Sequence, residues 1–252
     1  MAIDTKMMGS VLLATIDREK SLNALDIPHL ESLVAMFDRA SNEGAVRAVV
    51  VSGKGRAFSA GADIKAMDAM TDADFATAAE LYQSMCRAAR GIDKPVIAAI
   101  NGFALGGGLE VALMADIRIA ARSAKLGLPD AELGFSPTGG LTYLLNHIVG
   151  AGWAMHLAMT GQILSAEDSL RIGLVTEVVD DDALDKHAQA LAQRLAAYPP
   201  TGMKNIKRSF NVALESSLSA TLTLEAEYDA ACYRSPETRS ALKHFIASRR
   251  KP

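Results

Sequence analysis

The amino-acid sequence predicts an α/β fold that ends in a helical C-terminal region. In the first part of the chain, short apolar runs typical of strands alternate with segments of helical spacing. Two of these runs lead into glycine-rich loops. From about residue 182 onward almost every segment has helical periodicity, except at Pro199–Pro200. The chain has 252 residues, half of them hydrophobic, and can bury a substantial core in one domain or one domain plus an appendage.

The first strands and helices follow from local signals. Val11–Ile16 predicts a strand, and in the helix that follows, Pro28 occupies the first turn. The β-branched run Val46–Val51 predicts a second strand. The next stretch, Gly53–Asp63, holds too much glycine for the interior of an element and predicts a shaped loop. A long helix is predicted over residues 72–90.

The order of strand, glycine-rich loop and helix then occurs a second time. A strand is predicted over Pro95–Ile100, and Asn101–Gly102 ends it. Three consecutive glycines, Gly106–Gly108, come shortly afterwards and precede a predicted helix over Leu109–Ala115. Ile117–Ala120 predicts the next strand. This weak repetition supports an α/β core and lacks the fixed period of a solenoid.

The rest of the chain is mainly helical. Its predicted elements are three helices and one late strand, at Leu141–Ile148, Ala151–Met159, Ala166–Ile172 and Leu174–Val179. We place the boundary near Tyr198, so that residues 1–198 form the core and residues 199–252 form the helical C-terminal region. No low-complexity linker separates the two parts, so we expect the C-terminal region to pack on the core or on a partner subunit.

Composition and charge argue against several classes of function. The net charge of −3 and the aromatic content of 5% do not favour nucleic-acid binding. The apolar stretches are too short to cross a bilayer, and the N-terminus lacks the pattern of a signal peptide. Cys86 and Cys232 stand alone, which predicts no disulfide framework and fits a reducing cytoplasm. Five basic residues form either a solvated helix face or a phosphate-binding margin: Arg239, Lys243, Arg249, Arg250 and Lys251.

The segment Gly102–Gly108 is the first candidate for a ligand-binding loop. It has neither the spacing of a dinucleotide fingerprint nor that of a phosphate loop. Consecutive glycines after a strand let a ligand approach the backbone, and they expose the N–H groups of the helix that follows. For the glycines alone, a tight strand-to-helix turn is the favoured interpretation.

Glu110 places a charged carboxylate next to this glycine-rich loop. It is the only charged residue between Lys94 and Asp116, and a charge in an apolar stretch normally has a partner or a task. It comes three residues after Gly107, so the two share a helix face if the helix begins at the glycines. Two interpretations stay open: a carboxylate and an N–H offered to one ligand, or a first-turn glutamate stabilised by the helix dipole.

Other polar residues have simpler interpretations. Asp130 follows Pro129, which favours an ordinary turn. Asp63 can cap the helix that follows it. The five histidines share no metal-ligand spacing, so no metal site is predicted. Ser59 lacks the surroundings of a hydrolase nucleophile.

Four ordered motifs nevertheless resemble one known family. FSAGADIK at Phe58–Lys65, NGFALGGGLEVALMADIRIA at Asn101–Ala120 and LGLPDAELGFSPTGG at Leu126–Gly140 are similar to the three signatures of the crotonase superfamily, the enoyl-CoA hydratases and isomerases. DREKSLNALD at Asp17–Asp26 resembles the family's N-terminal segment beside the pantetheine chain. The order and spacing match over essentially the whole chain.

The resemblance implies a spiral of ββα units followed by a helical C-terminal region that builds trimers, often hexamers. It implies an acyl-CoA substrate, with no cofactor besides the coenzyme A that the substrate carries. The N–H groups of Ala62 and Gly107 would form the oxyanion hole for the thioester. Glu110 and Asp130 match the two acid/base positions.

The resemblance also implies the residues that contact the substrate. Along the coenzyme A these are Ser21, Ala24, Ala60, Asp63, Ile64 and Lys65. Phe135, Thr138 and Leu141 follow the third signature and would line the acyl pocket. Phe245 matches a tail aromatic that reaches the coenzyme A of a neighbouring subunit, although Ser248 stands where the family often has a lysine.

The activity expected from this resemblance is a lyase reaction, the reversible addition of water to a 2-enoyl-CoA. The family's hydratases usually have glutamate at both acid/base positions, and Asp130 is one methylene shorter. A double-bond isomerase or a thioester hydrolase on the same scaffold is therefore the alternative. A non-catalytic acyl-CoA-binding or RNA-binding relative is more remote, because both carboxylates are kept and aromatic residues are few.

Overall fold

The structure is a computed structural model that describes residues 3–248. The basic residues Arg249, Arg250 and Lys251 of the predicted phosphate-binding margin lie outside the described residues. Within residues 3–248 the strands are β1 (Ile3–Met8), β2 (Val11–Ile16), β3 (Ala48–Gly53), β4 (Ala57–Ser59), β5 (Val96–Ile100), β6 (Phe103–Leu105), β7 (Ile117–Ala121), β8 (Lys125–Gly127), β9 (Ile163–Ser165) and β10 (Glu177–Val179). The α-helices are α1 (Ile27–Asn42), α2 (Ile64–Asp68), α3 (Asp72–Gly91), α4 (Gly107–Met114), α5 (Leu141–Thr160), α6 (Ala166–Arg171), α7 (Leu184–Ala196), α8 (Pro200–Ala213), α9 (Leu218–Arg234) and α10 (Pro236–Ser248).

The larger sheet has six strands in the order β1-β2-β3-β5-β7-β10. β1 and β2 form an antiparallel hairpin, and the other neighbours pair in parallel. The central strands are almost fully buried, as expected for parallel strands covered on both faces. α1 and α3 pack against each other, and α7 packs on the central strands. The predicted α/β fold is confirmed.

The smaller sheet was not predicted. Its strands have the order β4-β6-β8-β9, and each has only three residues. Runs this short cannot show the alternation that identifies a strand; β6 lies directly between two glycines, and β4 has a glycine two residues away on each side. The parallel pairing of β4 with β6 matters for function. Because the chain leaves each strand in the same direction, residues 60–62 and Gly106–Gly107 emerge side by side.

Several boundaries differ from the predicted ones for local reasons. The two helices predicted at Leu141–Ile148 and Ala151–Met159 are both present within α5, where Gly150, with φ 77°, separates them. The late strand begins at Glu177 rather than Leu174, because the amides of Leu174 and Val175 donate instead to the carbonyl of Ser169. α4 begins at Gly107, two residues earlier than predicted.

The C-terminal helices differ from the core in what they bury. α8 packs on α9, and α10 contacts both. Large apolar side chains remain exposed on these helices, among them Phe210 at 74% and Leu218 at 75%. Among residues 3–248, none of the helices combines the length and apolar character that spanning a membrane requires.

Candidate active site

A cavity of about 340 Å³ lies where the two glycine-rich loops meet. Its walls include Ala60–Ala62 after β4 and Gly106–Gly107 after β6. One face of α3 and the segment from Pro129 to Thr138 complete much of the lining. The predicted residues in the lining are Ala60, Ala62, Ile64, Gly107, Glu110, Asp130, Phe135 and Thr138.

Glu110 is the charged group on the α4 side of the cavity. Its side chain is buried, with 3% of the residue exposed. The Thr138 amide donates a 2.8 Å hydrogen bond to Oε1, and the other oxygen, Oε2, has no partner within the described chain. Burial raises the pKa of Glu110 to about 7, and the charge of Asp130 adds to this, although the Thr138 hydrogen bond opposes it. Glu110 is therefore a carboxylate that can gain or lose a proton near neutral pH.

Asp130 is the second carboxylate at the cavity. It lies in a 3₁₀ turn, Pro129–Leu133, so the turn expected from Pro–Asp is present. The turn also aims the side chain inward: a β-carbon added to Gly106 would lie 3.3 Å from both carboxylate oxygens. Oδ2 is buried and has no partner in residues 3–248, and burial raises the pKa of Asp130. An ordinary turn and an active-site carboxylate are thus compatible descriptions of the same residue.

Two backbone N–H groups stand at the junction of the loops. Ala62 follows Gly61, which has φ 95°, and Gly107 follows Gly106, which has φ 48°. A β-carbon on Gly61 would lie 2.6 Å from the Leu105 carbonyl oxygen and 3.2 Å from the Gly107 nitrogen. This proximity requires glycine at position 61 and brings the two loops into contact.

These N–H groups have the properties of an oxyanion hole. Within the described chain, neither the Ala62 nor the Gly107 amide donates a hydrogen bond to another protein group. Gly107 begins α4, whose first N–H groups have no partner inside the helix and carry the positive end of its dipole. Both amides belong to residues of the cavity wall, where a carbonyl oxygen can reach them.

The segment predicted to lie along coenzyme A is anchored to the glycine-rich loop beside it. Asn23 is buried and donates a 2.7 Å hydrogen bond to the Ala57 carbonyl. The Ala60 amide donates to the Leu22 carbonyl. Ser21 and Ala24 flank Leu22 and Asn23, so these two hydrogen bonds hold them beside β4. Sequence reasoning did not single out Asn23, whose φ of 57° is a conformation that asparagine tolerates better than most residues.

Asp63 has a structural task here. It caps α2 by accepting hydrogen bonds from the Lys65 and Ala66 amides, as the sequence suggested. Its other oxygen lies 2.7 Å from the Arg18 guanidinium. Partial burial opposes ionisation, but the Ala66 amide and Arg18 lower the pKa of Asp63. Beyond it, Ile64 and Lys65 are exposed.

The three residues predicted for the acyl pocket have different positions. Phe135 lines the cavity and stacks on Phe75 of α3, with ring centroids 5.8 Å apart. Thr138 lines it as well and positions Glu110 through its amide. Leu141 is 1% exposed and belongs to the hydrophobic core rather than to the described cavity wall.

Phe245 does not reach this cavity within the protomer. It lies in α10 and is 54% exposed. A role in binding the coenzyme A of a neighbouring subunit therefore stays a prediction.

Sequence reasoning missed Tyr82, a buried residue of α3 that lines the cavity. The signal was present, because Phe75, Ala78, Ala79 and Tyr82 follow the three- and four-residue spacing of one helix face. All four line the cavity. A tyrosine on such a face is usually core, so the spacing by itself did not indicate a site.

Comparison with known proteins agrees with this geometry. The family model described as enoyl-CoA hydratase/isomerase matches residues 6–252. The chain is 36% identical to the short-chain-enoyl-CoA hydratase of Clostridium acetobutylicum, over 96% of this chain and 93% of that protein. It is also 36% identical to the 1,2-epoxyphenylacetyl-CoA isomerase of Escherichia coli, over 95% and 93% of the two chains.

Solved structures give the same result. The enoyl-CoA hydratase of Bacillus anthracis superimposes with a TM-score of 0.95 at 31% identity, covering 98% of this chain and 97% of that one. DspI of Pseudomonas aeruginosa follows with a TM-score of 0.93 at 33% identity, over 98% and 94% of the two chains. With the fold, the order of the motifs and the family model in agreement, the chain belongs to the enoyl-CoA hydratase/isomerase family of the crotonase superfamily.

Proposed function

We propose that this protein adds water reversibly to the C2=C3 double bond of a 2-enoyl-CoA and forms a 3-hydroxyacyl-CoA. One observation supports this above all. Glu110 Oε2 and Asp130 Oδ2 are buried carboxylate oxygens with no partner in the described part of the chain, and their residues belong to the same cavity wall as Ala62 and Gly107. A thioester oxygen would accept hydrogen bonds from the two amides, and a water molecule would exchange protons with the two carboxyl groups.

The thioester carbonyl would accept hydrogen bonds from the Ala62 and Gly107 amides. When water attacks C3, negative charge moves through C2 onto this oxygen and forms an enolate. Fixed donors at the oxygen stabilise that charge, and loss of one such donor typically costs roughly 3–4 kcal/mol of barrier. The dipole of α4 acts in the same direction at Gly107.

The carboxylates would move the protons. The water oxygen forms a bond to C3, the C2=C3 π electrons move into the enolate, and one water proton passes to one carboxylate. The other side chain starts as the protonated carboxylic acid, and the enolate takes that proton at C2. Proton exchange between the two restores the site, and the net change is addition of one water. The reaction balances with thioester and water alone, so it needs no separate cofactor.

The rest of the predicted site would hold the coenzyme A. Ser21, Ala24, Ala60, Asp63, Ile64 and Lys65 would lie along the pantetheine and adenine. Two observations support this placement: Ala60 and Ile64 line the cavity, and the Ala60 amide donates to the Leu22 carbonyl, next to Ser21 in the chain. Phe135 and Thr138 would bound the acyl group, as their place in the lining supports. Leu141 would act only from behind this wall.

An isomerase is the second candidate, because one relative carries an isomerase name and Asp130 is shorter than glutamate. The two are separated by incubation with crotonyl-CoA and with a 3-enoyl-CoA in ¹⁸O-labelled water. We expect label at C3 of a 3-hydroxyacyl-CoA, and Glu110→Gln should reduce its formation by about 10²- to 10⁴-fold. A migrated double bond without label would instead identify an isomerase, and label in a free carboxylate a hydrolase.

We also place the working enzyme in a homotrimer, or a hexamer of two trimers, in the cytoplasm. The exposed apolar side chains of α8–α10 support assembly through residues 199–252, because large apolar patches usually mark interfaces. The free thiols of Cys86 and Cys232 agree with a reducing compartment. Light scattering after gel filtration would give the subunit number.

A further inference from the structure

Tyr82 carries a buried hydroxyl group for which residues 3–248 provide no partner. The residue is 6% exposed, and its hydroxyl oxygen is buried without a hydrogen bond to any described residue. Buried hydroxyls are nearly always hydrogen-bonded, because leaving one unpaired costs free energy. Tyr82 lines the cavity, so a ligand in the cavity is the partner that remains.

The Tyr82 hydroxyl lies above the start of α4. A β-carbon added to Gly107 would overlap the Tyr82 hydroxyl oxygen, so the phenol fills the space that a side chain at position 107 would need. Glu110 lies one turn further along the same helix face. Burial, together with the charges of Glu110 and Asp130, raises the pKa of Tyr82 and keeps the phenol protonated. The group is therefore a hydrogen-bond donor beside the two carboxylates.

Three residues that line this cavity thus each carry a buried oxygen without a partner among residues 3–248: Tyr82 Oη, Glu110 Oε2 and Asp130 Oδ2. We propose that the Tyr82 hydroxyl donates a hydrogen bond to the oxygen atom that is added to C3 and removed from it. The inference rests on the proposed hydration and assigns a third group to the same reacting water.

The hydrogen-bonding capacity of water accounts for this third group. A water molecule has two hydrogens and two lone pairs. During addition one hydrogen faces a carboxylate, and one lone pair forms the bond to C3. One carboxylate accepts the water proton, and the proton of the other is directed at C2, so the second lone pair needs a donor from elsewhere, and Tyr82 supplies it. In the reverse direction the same donor stabilises the departing hydroxyl oxygen.

Tyr82→Phe tests the proposal, because it removes the hydroxyl and keeps the ring. We expect kcat for crotonyl-CoA hydration to fall roughly tenfold to a hundredfold, with KM nearly unchanged. Tm should not fall, since the hydroxyl has no partner in the fold. Tyr143→Phe is the matched control: Tyr143 lies in α5 outside the described cavity wall, and its loss of a hydroxyl should leave kcat unchanged.

A binding measurement tests the same contact without turnover. Wild-type protein should prefer 3-hydroxybutyryl-CoA to butyryl-CoA, and Tyr82→Phe should reduce that preference about tenfold. The proposal is overturned if kcat and this preference are both unchanged. It is also overturned if kcat falls only because the inflection of the pH–rate profile moves, since Tyr82 would then act through a carboxylate. If the wild type itself forms no 3-hydroxyacyl-CoA, the proposed function has failed rather than the role of Tyr82.

Discussion

At the scale of single residues, the buried carboxyl group of Glu110 is the group of the site whose burial costs the most free energy, and it lies where the proposed reaction needs an acid or base. Glu110 is buried in an apolar helix, and only one of its oxygens is satisfied within the described chain. The sequence already marked this residue as an isolated charge beside a glycine run. It left Asp130 as an ordinary turn, because the cavity wall that gives Asp130 its environment is assembled from segments distant in sequence. Local chemistry singled out Glu110 but left its role open, and only the motif resemblance indicated acid/base positions for both carboxylates.

The raised pKa of Glu110 predicts a dependence of stability on pH. Its pKa rises from an ordinary 4.5 to about 7, chiefly through burial, so the folded state holds the proton more tightly than the unfolded state. This contribution to stability is complete below about pH 4.5 and is lost as pH rises through about 7. Glu110→Gln carries no such proton. Relative to wild type, the variant should therefore gain up to about 3 kcal/mol between pH 4.5 and pH 8.

Thermal unfolding of both proteins at the two pH values measures this difference. Glu31→Gln, at an exposed position of α1, is the control for removing one negative charge. If the Glu110→Gln difference from wild type is the same at pH 4.5 and pH 8, burial does not hold a proton on Glu110.

The length of the Asp130 side chain predicts a change in substrate range. Its carboxylate already lies close to Gly106, so the extra methylene of Asp130→Glu would extend into the cavity. Activity on crotonyl-CoA should stay within about tenfold of wild type, and activity on longer acyl groups should fall further because they need the same space. Asp130→Asn should lose about 10²- to 10⁴-fold on all chain lengths. Near-complete loss by Asp130→Glu on crotonyl-CoA would show that the cavity requires the shorter side chain.

At the scale of elements, the smaller sheet determines the site, and it is the part that sequence patterns did not predict. In the larger sheet, β2, β3 and β5 carry apolar runs of four or more residues, and these strands and β7 were predicted close to their observed positions. The edge strand β1 (IDTKMM) has no such run and was not predicted. β4 and β6 have three residues each and depend on pairing with each other rather than on their own sequence. Periodicity cannot detect such strands. The motif resemblance compensated, because it named Ala62 and Gly107 without requiring the strands that align them.

The close packing of α4 on β4 predicts a strong effect of a small substitution. A β-carbon on Gly108 would overlap the carbonyl oxygen of Ser59, so Gly108→Ala should push the helix away from the strand. We expect a loss of about 1–3 kcal/mol in the free energy of unfolding. We also expect lower kcat, because Gly107 moves with the helix. Gly202→Ala in α8 is the matched control: nothing lies within 4 Å of its added carbon, and stability should rise by up to about 1 kcal/mol.

Denaturant unfolding and crotonyl-CoA turnover measure the two effects. If the Gly108→Ala and Gly202→Ala proteins were equally stable, α4 could shift without loss of stability. The packing of α4 on β4 would then not determine the position of the Gly107 amide in the proposed oxyanion hole.

At the scale of the whole molecule, the C-terminal helices leave large apolar side chains exposed to water in a single chain. Phe210 of α8 is 74% exposed, and Leu218 and Leu222 of α9 are 75% and 56% exposed. Water contact with so much apolar surface is unfavourable, and association of subunits through residues 199–252 would remove it. On the proposal of a trimer or hexamer, the predicted boundary near Tyr198 would separate the part that holds the candidate site from the part that joins subunits.

Phe210→Asp tests this division. A charge at an apolar contact is costly to bury, so we expect the oligomer to dissociate, and light scattering should give a lower mass. If Phe245 reaches the coenzyme A of a neighbour, KM for crotonyl-CoA should rise together with dissociation, while kcat at saturation changes less. Ala190→Asp, at an exposed position of α7, introduces the same single negative charge on the core and should leave the mass unchanged. If the mass of Phe210→Asp is unaltered, the subunit contact lies elsewhere, and subunit association does not account for the exposed apolar face of α8.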